Sequence, residues 1–174
     1  MPAPIVPLDA KEAPEAPDEM VPKAAGRERR EAERVITDWE DETRRLSHVL
    51  ALLTLKTSEM TTEKWANRFI VALRPAIEDC TFLFYGATFA ALLELPEKAT
   101  PSVPMVEQLP ARYVPVFTRG CINATLWGTP VRLHGSADRD DGRQELYRAA
   151  FIRLSLDTYR QRHFALGAFN CRVI

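Results

Sequence analysis

Trp65-Ala-Asn-Arg-Phe-Ile-Val-Ala-Leu73 alternates as a strand does, with Trp65, Asn67, Phe69, Val71 and Leu73 on one face and Ala66, Arg68, Ile70 and Ala72 on the other. Pro75 ends the alternation. After the connection Ala76-Ile-Glu-Asp, the aromatic run Cys80-Thr-Phe-Leu-Phe-Tyr-Gly86 reads as a second strand, paired with the first as a hairpin.

Downstream of this hairpin the period turns helical. Ala87 to Leu95 has helical composition and Pro96 closes it, and the stretch from Glu97 to Glu107, with Pro101 and Pro104, is a loop with room for one short helical turn. A longer helix is expected from Pro110 or Ala111 to Trp127, with Tyr113, Phe117, Cys121 and Ala124 on one face. Pro115 must then sit in its first turn, because deeper in the helix it would remove a backbone bond and crowd the turn before it. Gly128 and Pro130 form the stop signal. The remainder is strand and turn: Val131 to Ser136, the turn Asp138-Arg-Asp-Asp-Gly142, Gln144 to Leu156, and His163 to Val173. Two strands, helices and three strands imply an α+β fold, one antiparallel five-stranded sheet with helices on one face.

Upstream, residues 1–25 hold six prolines and few large apolar groups, too little to offset the entropy of ordering, so a disordered tail is expected there. Residues 26–56 are expected to form a long amphipathic helix. In it Ala32, Trp39, Leu46 and Leu53 recur every seven residues, with Val35, Ile36, Val49 and Leu50 between them, and Glu42 and Thr43 interrupt the stripe. Either the following domain or a second chain must cover it.

Composition narrows the functions. A chain of 174 residues with 46% hydrophobic content supports one globular domain behind a tail, and a net charge of -1 offers no general attraction to nucleic acid or an anionic membrane. The proline-rich start is unlike a secretory signal, and no stretch has the length of a membrane span, so a cytoplasmic protein is expected. Cys80, Cys121 and Cys171 are widely spaced in apolar surroundings, as reduced core thiols are.

Five stretches carry a family resemblance: Trp65-Ala-Asn-Arg-Phe69, Phe82-Leu-Phe-Tyr-Gly86, Leu109-Pro-Ala-Arg-Tyr113, Glu145-Leu-Tyr-Arg-Ala-Ala-Phe151 and Ala165-Leu-Gly-Ala-Phe-Asn-Cys-Arg-Val173. In their order and residues, over about residues 60–174, the chain resembles a PAS-like family of short bacterial proteins. The resemblance implies a sensory or protein-binding module, with the preceding helix joining a dimer contact, and it implies no single reaction or ligand.

Specific chemistries find little support. Asn170-Cys-Arg is similar to the cysteine motif of flavin-binding light sensors, but there it lies on a mid-domain helix and here it ends the last strand. Haem PAS sensors commonly carry a histidine on the connecting helix, and the helix ending at Trp127 has none. Asp138, Asp140 and Asp141 begin like a calcium loop, yet its twelfth position is Ala149 where a glutamate is needed. His134-Gly-Ser136 lacks a nucleophile elbow, and the dispersed glycines form no phosphate loop. No catalytic residue, metal ligand or cofactor is therefore assigned.

Two functions remain. The first is a non-enzymatic signalling or regulatory domain acting by protein–protein interaction, with a signalling protein or a second copy meeting Trp39, Leu46, Val49, Leu50 and Leu53. The alternative is a sensor with a small molecule in the core, lined by Phe84, Tyr113, Phe117, Arg148 and Phe169, in which an inward Arg148 would need an anionic partner. A small enzyme is the weakest reading.

Overall fold

A computed structural model describes residues 25–45, 63–127, 129–157 and 162–174. The proline-rich tail, the stripe residues Leu46, Val49, Leu50 and Leu53, and the stop residue Gly128 lie outside these described residues.

Five strands form one antiparallel sheet: β1 Arg68–Leu73, β2 Thr81–Tyr85, β3 Val131–Asp138, β4 Gln144–Asp157 and β5 Arg162–Val173, in the order β2-β1-β5-β4-β3. The helices are α1 Ala25–Arg45, α2 Ala87–Leu92, α3 Met105–Gln108 and α4 Val114–Trp127. This is the expected α+β arrangement of one antiparallel five-stranded sheet with helices. Pro115 occupies the second position of α4, where its missing N–H costs no helical bond. The short helix α2 ends at Leu92, before Pro96, because Glu94 turns left-handed (φ 56°) and the Leu95 N–H donates back to the Ala90 carbonyl at 2.9 Å. That backward bond is the one by which helices close on a left-handed residue.

Both faces of the sheet are covered. On the inner face, α2, α3 and α4 pack on Phe69, Val71, Phe82, Ala149, Phe151 and Phe169. On the outer face lies α1, whose Ala32, Val35, Ile36 and Trp39 follow the i, i+3, i+4, i+7 spacing and pack on Ile70, Ala150, Ile152, Leu166 and Ala168. The helices between the strands keep to one face, as expected, and the leading helix, which needed cover from the domain or from a second chain, takes the other. All six residues of β1 are consequently buried, although the strand alternates.

Two local departures from simple alternation matter for the site. Trp65, expected on the first strand and on one face with Phe69, stands in a 3-10 turn, Glu63–Trp65, and joins the outer cluster, edge-on to Phe84 at 5.8 Å. The β1–β2 ladder slips by one residue: Ile70 faces Phe84 while Val71 faces Phe82, so Leu83 opposes nothing. A bulge of this kind reverses the alternation beyond it. It sends Phe82 and Tyr85 into the inner layer and leaves Phe84 outside.

Candidate functional site

The layer between sheet and helices is filled by rings. Phe69, Phe82, Phe89, Tyr113, Phe117 and Phe151 are wholly buried and Phe169 nearly so. Tyr113 meets Phe169 edge-on at 4.9 Å, and Phe117 lies 5.6 Å from Phe169 and 5.5 Å from Phe151. Such mutual contacts are those of a packed aromatic core.

The five residues expected to line one ligand cavity are therefore divided. Tyr113, Phe117 and Phe169 belong to the inner core, whereas Phe84 packs on the outer cluster beside Trp65. Arg148 is also on the outer face, because strict alternation of β4 from the inward Phe151 puts Ala149, Tyr147 and Glu145 inside and Arg148 outside. The residue is half-buried on that outer face, so it makes no demand for an anion in the core.

The charge inside this layer belongs to Glu145, which alternation alone would have placed there. Its residue exposure is 2%. Tyr113 donates its hydroxyl to Glu145 Oε2 at 2.6 Å, Arg112 Nε donates to the same oxygen at 3.0 Å, and Arg139 donates to Oε1. Arg112 and Tyr113 come from the turn that starts α4, and Arg139 from the β3–β4 turn, so the carboxylate ties the connecting helix to that hairpin. Burial opposes ionisation of Glu145, yet the hydrogen bonds from Tyr113, Arg112 and Arg139 outweigh it and hold its carboxyl below the usual range. Burial, with Glu145 as neighbour, pushes the Tyr113 hydroxyl well above its ordinary value. Three donors on one carboxylate make a structural clamp; it has little capacity left to accept a substrate proton.

The neighbouring elements are similarly committed. Burial raises the Cys171 thiol to about 11, which leaves it protonated and unreactive at neutral pH. Asp141 accepts from the Arg143 backbone N–H at 3.0 Å and from its guanidinium, closing the turn at Gly142 (φ 82°), which accounts for the aspartates as hairpin chemistry. Among the described residues no group of three or more His, Cys, Asp or Glu is arranged to hold a metal ion, and no helix is long and apolar enough to cross a membrane.

The two helical surfaces differ. Trp39, expected on a face offered to a second chain, is 6% exposed against its own sheet, because Ala150 and Ala168 are small enough to admit the indole-bearing helix. At the rim, Asp38 pairs with Arg68 at 2.5 Å and with Lys64 at 3.4 Å, and Glu33 pairs with Arg132 at 2.7 Å. On α4 the situation is reversed: Ile122, Leu126 and Trp127 are 44%, 68% and 70% exposed. Sequence reading gave α4 a buried face but took no account of its outward apolar one.

No family model and no curated protein matches the chain. Among solved structures it is similar to the PAS domain of an HTR-like protein from Haloarcula marismortui, at 16% identity and a TM-score of 0.35 over 84% of this chain and 98% of that one. It is also similar to PAS-B of Drosophila melanogaster Cycle, solved with bound ethylene glycol, at 10% identity and a TM-score of 0.38 over 61% of this chain and 99% of that one. A third similar structure is the photo-excited fungal blue-light photoreceptor Vivid, at 6% identity and a TM-score of 0.39 over 71% of this chain and 91% of that one.

Proposed function

We propose that this chain is a non-enzymatic, cytoplasmic PAS-like signalling or regulatory module that acts through protein–protein contact. The observation that carries this reading is the filled core: the rings of Phe69, Phe89, Tyr113, Phe117, Phe151 and Phe169 contact one another where a central ligand would sit. The outward positions of Phe84 and Arg148 weaken the alternative of a ligand sensor built on the aromatic core.

An apolar surface for a partner is available on α4 at Ile122, Leu126 and Trp127, and such neighbouring exposure on a helix is costly unless something covers it. The apolar sequence stripe of Leu46, Val49, Leu50 and Leu53, outside the described residues, supports the same reading as a proposed contact for a signalling protein or another copy. Native mass spectrometry of the purified full chain tests the reading. We expect the mass of the bare polypeptide, alone or as an oligomer, and a stoichiometric small molecule that survives gel filtration and maps to the aromatic core would overturn it.

A further inference from the structure

We propose that a cleft at the end of β1, between the β1–β2 connection and α4, binds a small amphipathic anion. Its apolar part would lie against Leu73, Cys80, Cys121, Ile122 and Leu126, and its negative group beside Arg74 and His163. This inference does not rest on the interaction reading, although the cleft shares Ile122 and Leu126 with the surface proposed on α4, and its floor of Leu73, Cys80 and Cys121 is the edge of the inner core.

The cleft has a volume of about 300 Å³, at the lower end of the range for small-molecule pockets. Its floor is dry. Leu73, Cys80 and Cys121 are 5%, 1% and 1% exposed, while the walls Ile122 and Leu126 remain in water, so an apolar occupant would cover surface that the fold leaves uncovered. Burial pushes both the Cys80 and Cys121 thiols above their ordinary range, so they act as neutral apolar lining and the binding is noncovalent.

The charge at the mouth selects the headgroup. The Arg74 guanidinium is exposed and makes no ion pair with any described residue, while its backbone N–H donates to Cys80 Sγ at 3.3 Å and so fixes the mouth to the floor. Ser155 Oγ lies 2.8 Å from His163 Nδ1, which leaves Nε2 as the ring nitrogen for a ligand. The same Arg74 and His163, with Ala72 and Phe164, border an adjoining cavity of about 230 Å³, so the headgroup end has space. Glu78 and Asp79 act electrostatically on Cys80 from the same connection but do not line the cleft. An arginine and a histidine above an apolar floor are complementary to a carboxylate or another singly charged anion on a short hydrocarbon.

The test is titration of the isotope-labelled full chain with octanoate, 1-octanol and octylamine, followed by backbone amide shifts. Octanoate should give saturable shifts centred on Arg74, Cys80, Cys121, Thr125 and His163, binding more tightly than octanol, with octylamine weakest. Arg74→Gln, at an exposed position that keeps the fold, should weaken octanoate about fivefold and leave octanol unchanged. Thr125→Trp, also at an exposed position, should narrow the cleft and abolish both. Absence of saturable shifts with every probe, or shifts centred elsewhere, would overturn the site. Equal binding of octanoate and octanol, unaffected by Arg74→Gln, would overturn the anionic headgroup.

Discussion

Glu145→Gln removes the charge from the clamp while keeping the side chain's size and one acceptor oxygen for Tyr113. In the wild type the carboxylate takes hydrogen bonds from Tyr113, Arg112 and Arg139, with the Arg112 and Arg139 side chains 15% and 25% exposed. Hydrogen bonds to charged groups contribute about 1.5–3 kcal/mol, and removing one partner of a fully buried pair costs about 3–5 kcal/mol. Because glutamine keeps one acceptor oxygen and the Arg139 side chain is partly exposed, we expect a loss of about 2–3 kcal/mol, a fall of roughly 10 °C in Tm for a domain of this size. The pH dependence gives a second readout with a definite sign. Glu145 has a folded pKa below its unfolded one, so its contribution is fully present above the ordinary glutamate range and is lost as pH falls through the folded value. Thermal and urea melts of both proteins should therefore differ most at pH 7 and converge in acid. Tyr113→Phe should cost less than Glu145→Gln, and the double variant should cost less than the sum, since both act on one contact. A Glu145→Gln protein that melts within about 1 °C of wild type at pH 7, or a difference that widens on acidification, would refute the clamp.

Two further predictions address the packing of the helices. Gly120→Ala places a methyl group 2.3 Å from the Phe151 ring, so despite the better helix propensity of alanine we expect a net loss of about 1–3 kcal/mol, measured by urea denaturation; unchanged stability would show that α4 can lift from the sheet at little cost. Leu46→Asp with Leu50→Asp should abolish self-association or partner capture while keeping the melting temperature of the domain, as read by light scattering and thermal melting; a monomeric wild type whose stability collapses in the variant would make that stripe internal packing.

Most of the architecture was legible in the sequence because periodicity and punctuation agreed. Pro75, Pro96, Gly142 and the switch from alternating to helical spacing bounded the hairpins and α4 to within a few residues. The site was less legible, for reasons that particular residues explain. Phe84 is expected to line the core, and only pairing against β1 reveals that Leu83 is an extra residue that leaves Phe84 outside. Arg148 illustrates a different failure, since it is three residues from Phe151 and the two cannot share a face of one unbroken strand. Parity through β4 from Phe151 puts Glu145 inside, where a carboxylate needs partners. That those partners are Arg112, Tyr113 and Arg139 was not legible, because two distant loops supply them. Trp39 was a matter of competition between two covers, and the small outer-face residues Ala150 and Ala168, on strands more than a hundred residues away, decide it.

The same geometry constrains how a signal could pass through the domain. Detaching α1 would return Val35, Ile36 and Trp39 to water, each worth on the order of 1.5–3 kcal/mol, so a partner that displaced the helix would need several kcal/mol of differential affinity for the open form. The apolar residues of α4 need no such opening, because Ile122, Leu126 and Trp127 are already exposed. Phe117 and Gly120 of α4 rest on Phe151, while α1 rests on Ala150 and Ile152, the neighbours of that ring on the reverse side of β4. One short stretch of strand therefore carries both helices. A partner seated on α4 can alter how firmly α1 is held only if it moves Phe151, and Gly120→Ala displaces the same contact without a partner. If α1 is released through this strand, that variant should raise amide hydrogen exchange in α1 selectively; exchange that rises only in α4 would break the link.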